Sequence, residues 1–160
     1  MTNKQIDKFI LKFGGKNINF YINSDRKQQC ASAYFYNKNR KTKRNVYLID
    51  LQKRYFHNKK YSKYYLESML LHEIGHVKRK HFHKKIDEAK AEYEAHAWAL
   101  KKAVKYNLNK VTYFLVLILF NWGEYKKYKS KRKLIYYKAY KMFCKKLGKK
   151  GMKDLEDMIK

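Results

Sequence analysis

The sequence predicts an α+β fold, a small antiparallel sheet packed on one long helix and followed by a mostly helical C-terminal half. Three observations predict it. Residues 3–13 carry apolar side chains at helical spacing, strand-like alternation is confined to residues 18–51, and everything after Tyr61 returns to helical periodicity. With 160 residues, the chain reads as a single domain. Its parts are a helix plus sheet over 1–60, a central helical pair over 61–106 and a basic helical extension over 107–160.

Each element has its own warrant. Ile6, Phe9, Ile10 and Phe13 make one apolar stripe, and Gly14-Gly15 ends that helix. Over 18–22, Ile18, Phe20 and Ile22 share a side. Over 29–36, Ala31, Ala33 and Phe35 share a face. Residues 46–51 are apolar and partly β-branched. Lys38-Asn39-Arg40-Lys41 is a polar connection of hairpin type. Ser62 caps a helix that should reach about His81, with Leu66, Met69, Leu70 and Val77 as its stripe. Asp87 caps the next helix, to about Tyr106, and Asn109 an apolar one to Trp122. A long basic helix over 125–147 aligns Tyr136, Tyr140, Phe143 and Leu147, and Gly148 and Gly151 separate it from a short last helix.

Composition excludes several classes. Forty Lys and Arg against 13 Asp and Glu leave a net charge of +27 at pH 7. Yet 45% of residues are hydrophobic and 17% aromatic, so this is no disordered basic tail. Cys30 and Cys144 are too few and too distant for a disulfide framework, and read as small buried residues in a reducing compartment. The opening MTNKQIDKFI has no apolar signal region. The most apolar run, 111–122, is about half of the ~20 residues a membrane span needs. The expectation is a cytoplasmic protein without membrane association.

The chemistry concentrates in His72-Glu73-Ile74-Gly75-His76, an HExxH motif inside a predicted helix. Histidines at i and i+4 share a helical face, so both imidazoles can reach one ion. Glu73 then lies beside the metal, where it can take a proton from water and pass it to a leaving amine. Such ligands suit Zn²⁺, and three of them leave a position for water. The metzincin pattern is excluded, because Arg79 and Phe82 stand where it needs Gly and His. On a helix that continues to His81, His81 and His83 lie more than a turn from His76 and read as solvated. The following helix offers Glu88, Glu92, Glu94 and His96. Glu94 ranks first, because Ala91, Ala95 and Trp98 put it on an apolar face where a metal would offset the cost of a buried carboxylate. Glu92 ranks second and His96 third.

HEIGH followed by Glu92-Tyr93-Glu94-Ala95-His96-Ala97-Trp98-Ala99 resembles the ImmA/IrrE family of zinc metallopeptidases, whose HExxH precedes an E-x-E-A-x-x-F-A-like segment. The likeness covers residues 45–99. His96 stands where a residue such as Asn is usual, and Trp98 where Phe is usual. The resemblance implies a gluzincin-like site with His72, His76 and Glu94 as zinc ligands and Glu73 as the catalytic base. It also implies a bacterial, phage or mobile-element peptidase whose protein substrate is a DNA-binding repressor. The strand holding Val46, Leu48 and Asp50 would be an edge that receives an extended substrate.

Other readings compete. The aromatic-interleaved basic run 125–133 suggests nonspecific nucleic-acid contact. A DNA–protein protease of the SprT type also uses HExxH, but wants a third histidine. A non-catalytic binding module would have no need of an intact Glu73. The charge itself is uneven. Between residues 67 and 94 six acidic residues match six basic ones, whereas no acid occurs between Glu124 and Asp154. The excess therefore surrounds the motif rather than sitting on it, and can steer an acidic substrate towards it.

Overall fold

A computed structural model describes residues 1–23, 31–38, 45–56 and 61–160. They form two compact units, Met1–Lys84 and Lys85–Lys160. The division falls inside the 61–106 segment, at neither of its ends. Cys30 and residues 39–41 of the expected hairpin connection lie outside the described residues.

In the first unit, α1 (Asn3–Phe13) begins with a reciprocal cap. The Thr2 hydroxyl accepts the Gln5 N–H, and the Gln5 side chain accepts the Thr2 N–H. Ile6, Phe9, Ile10 and Phe13 are all buried, as their spacing predicts. Gly14 ends the helix, and Gly15 turns the chain at φ +88°.

Three strands follow: β1 (Ile18–Asn23), β2 (Ala31–Lys38) and β3 (Asn45–Gln52). Their spatial order is β1-β3-β2. β2 runs antiparallel to β3, with Ala33 opposite Ile49, while β1 runs parallel to β3, with Phe20 opposite Ile49. The sheet is therefore mixed, not antiparallel as expected. The reason is that β3 buries Tyr47, Ile49 and Leu51 and so takes the centre, flanked on both sides. This also overturns the expected substrate edge. Val46, Leu48 and Asp50 lie on the central strand, whose backbone pairs with β1 and β2 and has no edge to offer.

A short helix α2 (Lys53–Phe56) buries Phe56 and leads towards α3 (Lys63–Lys78). Ser62 caps α3 as predicted, its hydroxyl accepting the Tyr64 N–H at 3.3 Å. Leu66, Leu70, Leu71, Ile74 and Val77 anchor it in the core. The helix stops at Lys78, short of the expected His81. Lys80 adopts left-handed φ +58° and donates its N–H to the Val77 carbonyl, and a 3-10 turn follows at His81–His83.

The second unit packs three helices on one another: α4 (Glu88–Lys105), α5 (Asn109–Gly123) and α6 (Lys131–Asp157). Asp87 caps α4 by accepting the Lys90 N–H at 3.1 Å. At its other end Asn107 sits at φ +53°, its N–H bonds Val104, and the Leu108 N–H bonds Ala103, a Schellman closure. Asn109 consequently starts α5 without capping it; the cap position is Leu108, with no side-chain bond. The apolar run is core, for Val111, Leu115, Val116, Leu119 and Trp122 are buried. Among the described residues, no helix is long and apolar enough to cross a membrane. The expected helix from Tyr125 starts later, after a 3-10 turn at Glu124–Lys127, and Gly148 at φ +67° interrupts α6 as predicted. Phe143 of its apolar stripe is buried, but Leu147 is exposed.

Gly14 is where the α1–β1 turn is tightest: a Cβ there would lie 2.6 Å from Ile18 Cδ1 and 2.9 Å from the Ile10 carbonyl oxygen. Gly14→Ala is expected to cost about 1–3 kcal/mol through this overpacking, read as a lower denaturation midpoint in urea.

Candidate functional site

The HExxH segment lies in the best-buried part of α3. His72 and Glu73 are each 6% exposed, Ile74 not at all, and His76 is half-buried. Ile74 and Val77 face the core, so the spacing of the motif turns both imidazoles to one common side. His72 Nε2 and His76 Nε2 come to 3.2 Å, with ring centroids 4.9 Å apart and planes at 82°. Two imidazole nitrogens on one tetrahedral zinc, at ordinary Zn–N lengths, stand about 3.3 Å apart. The donors present therefore fit such an ion.

Glu73 turns to the sheet. Its Oε2 accepts the Ala33 N–H of β2 at 2.8 Å. A buried carboxylate is costly unless hydrogen-bonded, and this bond ties the motif to an outer strand of the sheet. Sequence reasoning did not find it, because no local pattern links Ala33 to a residue forty positions away.

His81 is a correction. It is not solvated but 7% exposed, with Nδ1 2.9 Å from His76 Nδ1. The left-handed turn at Lys80 folds it back onto the helix it was expected to extend. Neither Gly nor Pro marks that turn, so no breaker signal predicts it. His83 is exposed but engaged, with Nε2 2.9 Å from the Tyr47 hydroxyl and 3.2 Å from Asn45 Nδ2, and its ring 4.9 Å from that of Phe35.

The other candidates are distributed over both units. Asp50 is buried in β3; Oδ2 accepts from Asn23 Nδ2 at 3.2 Å, and Oδ1 has no hydrogen-bond partner. In the second unit, Ala89, His96, Ala99 and Ala103 form the buried line of α4. Glu92 lies on that line, three residues after Ala89 and four before His96. Glu94 lies about 200° round the helix from Glu92. Both are half-buried, and so are Ala91 and Trp98, so the apolar face expected around Glu94 is only partly closed. His96 is fully buried: Nε2–H donates to the Leu115 carbonyl at 3.0 Å, and the ring packs 4.7 Å from Trp122. Cys144 is half-buried rather than buried; burial and a hydrogen bond with Cys144 push the Tyr140 hydroxyl up to about 12.

No family model matches the sequence, and no curated protein or solved structure is detectably similar to it.

These placements separate ligand from core histidines. His96→Ala is expected to destabilise the second unit by about 2–4 kcal/mol while metal stoichiometry stays unchanged. Loss of bound metal in a folded His96→Ala chain would put His96 among the ligands.

Proposed function

We propose that this chain is a zinc-dependent endopeptidase with a gluzincin-like site, acting on a protein substrate. The observation that carries the reading is a buried HExxH helix whose two imidazoles converge to 3.2 Å, with the carboxylate of the same motif held by a backbone amide. His72 and His76 supply two of the ligands, and a carboxylate of α4 is the third. Glu92, half-buried on the buried line of α4, takes the carboxylate place that the ImmA/IrrE resemblance gives to Glu94. The two assignments exclude each other, because the residues point to opposite sides of one helix.

A zinc ion bound there would act as a Lewis acid, lowering the pKa of water towards ~7 and polarising the scissile carbonyl. Glu73 accepts the proton of the attacking water and returns it to the leaving amine. Its bond to Ala33 sets the orientation of the carboxylate before substrate arrives. An extended substrate is received at the outer edge of β2 rather than at β3, since β2 is the strand beside Glu73. The substrate class is the one the family resemblance suggests, a DNA-binding repressor in the cytoplasm of a bacterium carrying a phage or mobile element.

Glu73→Gln is expected to lower hydrolysis of a fluorescent casein on the order of 10²–10⁴-fold; a rate equal to wild type rules Glu73 out as the base. His72→Ala, His76→Ala and Glu92→Ala should each lose zinc by elemental analysis, with Glu94→Ala retaining it. Zinc lost from Glu94→Ala and kept by Glu92→Ala would move the ligand to Glu94.

A second reading has its own observation. From Tyr125 to Lys153 the chain carries thirteen basic residues and no acidic one. Lys138, Lys141 and Lys145 follow one another at spacings of three and four on the exposed side of α6. We propose that this line contacts nucleic-acid phosphates without reading sequence. Binding to a 30-base-pair duplex should weaken steeply between 50 and 200 mM salt. Replacing all three lysines by Gln should flatten the slope by up to about 0.9 per lost phosphate contact. An unchanged slope would show that α6 makes no such contact.

A further inference from the structure

We infer that His81 is a positioning residue for His76, and that the turn carrying it is a clasp that readies the motif for metal. The inference rests on the metal-site reading above. His76 Nδ1 and His81 Nδ1 are 2.9 Å apart, a distance at which two imidazole nitrogens share one proton. That proton decides what His76 can do. If it belongs to His81, neutral His76 carries its own proton on Nε2, directed at His72 Nε2 3.2 Å away, and has no lone pair for an ion on that side. If it belongs to His76, His81 Nδ1 is the acceptor and His76 Nε2 presents a lone pair beside His72 Nε2. Only the second tautomer makes the pair of donors that a zinc ion needs. Ligating histidines usually give their other N–H to a carboxylate, a carbonyl or water. Here the acceptor is a third imidazole.

The chain holds that acceptor in place from both sides. Lys80 takes a left-handed conformation that turns the backbone, so His81 faces inward against the His76 ring, the centroids 5.1 Å apart. His83, two residues on, faces the sheet, where Tyr47 and Asn45 bond its Nε2 and Phe35 packs on its ring. His81-Phe82-His83 therefore links α3 to β2 and β3 at the point where the motif ends. An imidazole acceptor is neutral, so it orients His76 without adding negative charge beside the metal.

The test uses the full chain and cobalt(II) as the probe, with affinity read by chelator competition and geometry by the visible ligand-field bands. Wild type should bind one cobalt ion, and His72→Ala none. His81→Phe, which fills the space without an acceptor, should weaken binding about 10–100-fold and alter the bands. His81→Asn, whose side-chain oxygen can accept the His76 N–H, should restore most of the affinity. Equal binding by His81→Phe and wild type overturns the inference and leaves the metal site standing, as does His81→Asn binding no better than His81→Phe. Absence of cobalt from wild type overturns the metal site itself, and the inference with it. Long-range proton–nitrogen spectra of zinc-loaded wild type need no variant: Nδ1 should carry a proton on His76 and none on His81. A proton on His81 Nδ1 overturns the inference.

Discussion

A carboxylate taken out of water must be given hydrogen bonds, and Glu73 is the place where the first unit meets that demand. At 6% exposure, its Oε2 rests on the Ala33 N–H of β2. Much of the unit follows from this bond. It sets the motif-bearing helix against one outer strand, and it requires that the strand keep a backbone donor on that side. It also fixes where the charge of Glu73 lies relative to the two imidazoles one residue before it and three after.

The remainder of the unit supports the same segment by packing. Ile49 and Leu51 of the central strand, with Leu70, Leu71 and Ile74 of α3, are wholly buried. A rigid backing of this kind is what holds polar side chains to tenths of an ångström. On the open side the chain reverses at Lys80 and returns two histidines, one to the motif and one to the sheet. The result is a row of three imidazoles, His72, His76 and His81, in which each contact needs a shared proton or an ion.

Some of this is legible in the sequence, and the physics explains which part. The HExxH spacing, the Ser62 and Asp87 caps, the α1 stripe and the Gly148 break are local signals, settled by a few adjacent residues. What escaped depends on distance or on an unmarked backbone choice. The pairing of β1 with β3 joins strands that are not consecutive, and no pattern within either strand announces its neighbour. The left-handed turns fall on Lys80 and Asn107, where a Gly would have shown them, so the local pattern runs α3 too long and puts the cap of α5 one residue too late. It consequently leaves His81 in solvent. Glu94 and Glu92 both fit the sequence pattern as a carboxylate ligand, and the burial of Ala89, His96, Ala99 and Ala103 adds that Glu92 lies on the inner line of α4.

The central claim is that His72 and His76 jointly hold one zinc ion. X-ray absorption at the zinc edge of the zinc-loaded chain tests it most directly, because imidazole ligands have their own scattering signature and sulfur ligands a longer bond. The predicted result is a four-coordinate ion with two imidazole nitrogens and oxygen donors, all at about 2.0–2.2 Å. A shell without paired imidazoles, or one that is unchanged when His72 and His76 are both replaced by alanine, would contradict it.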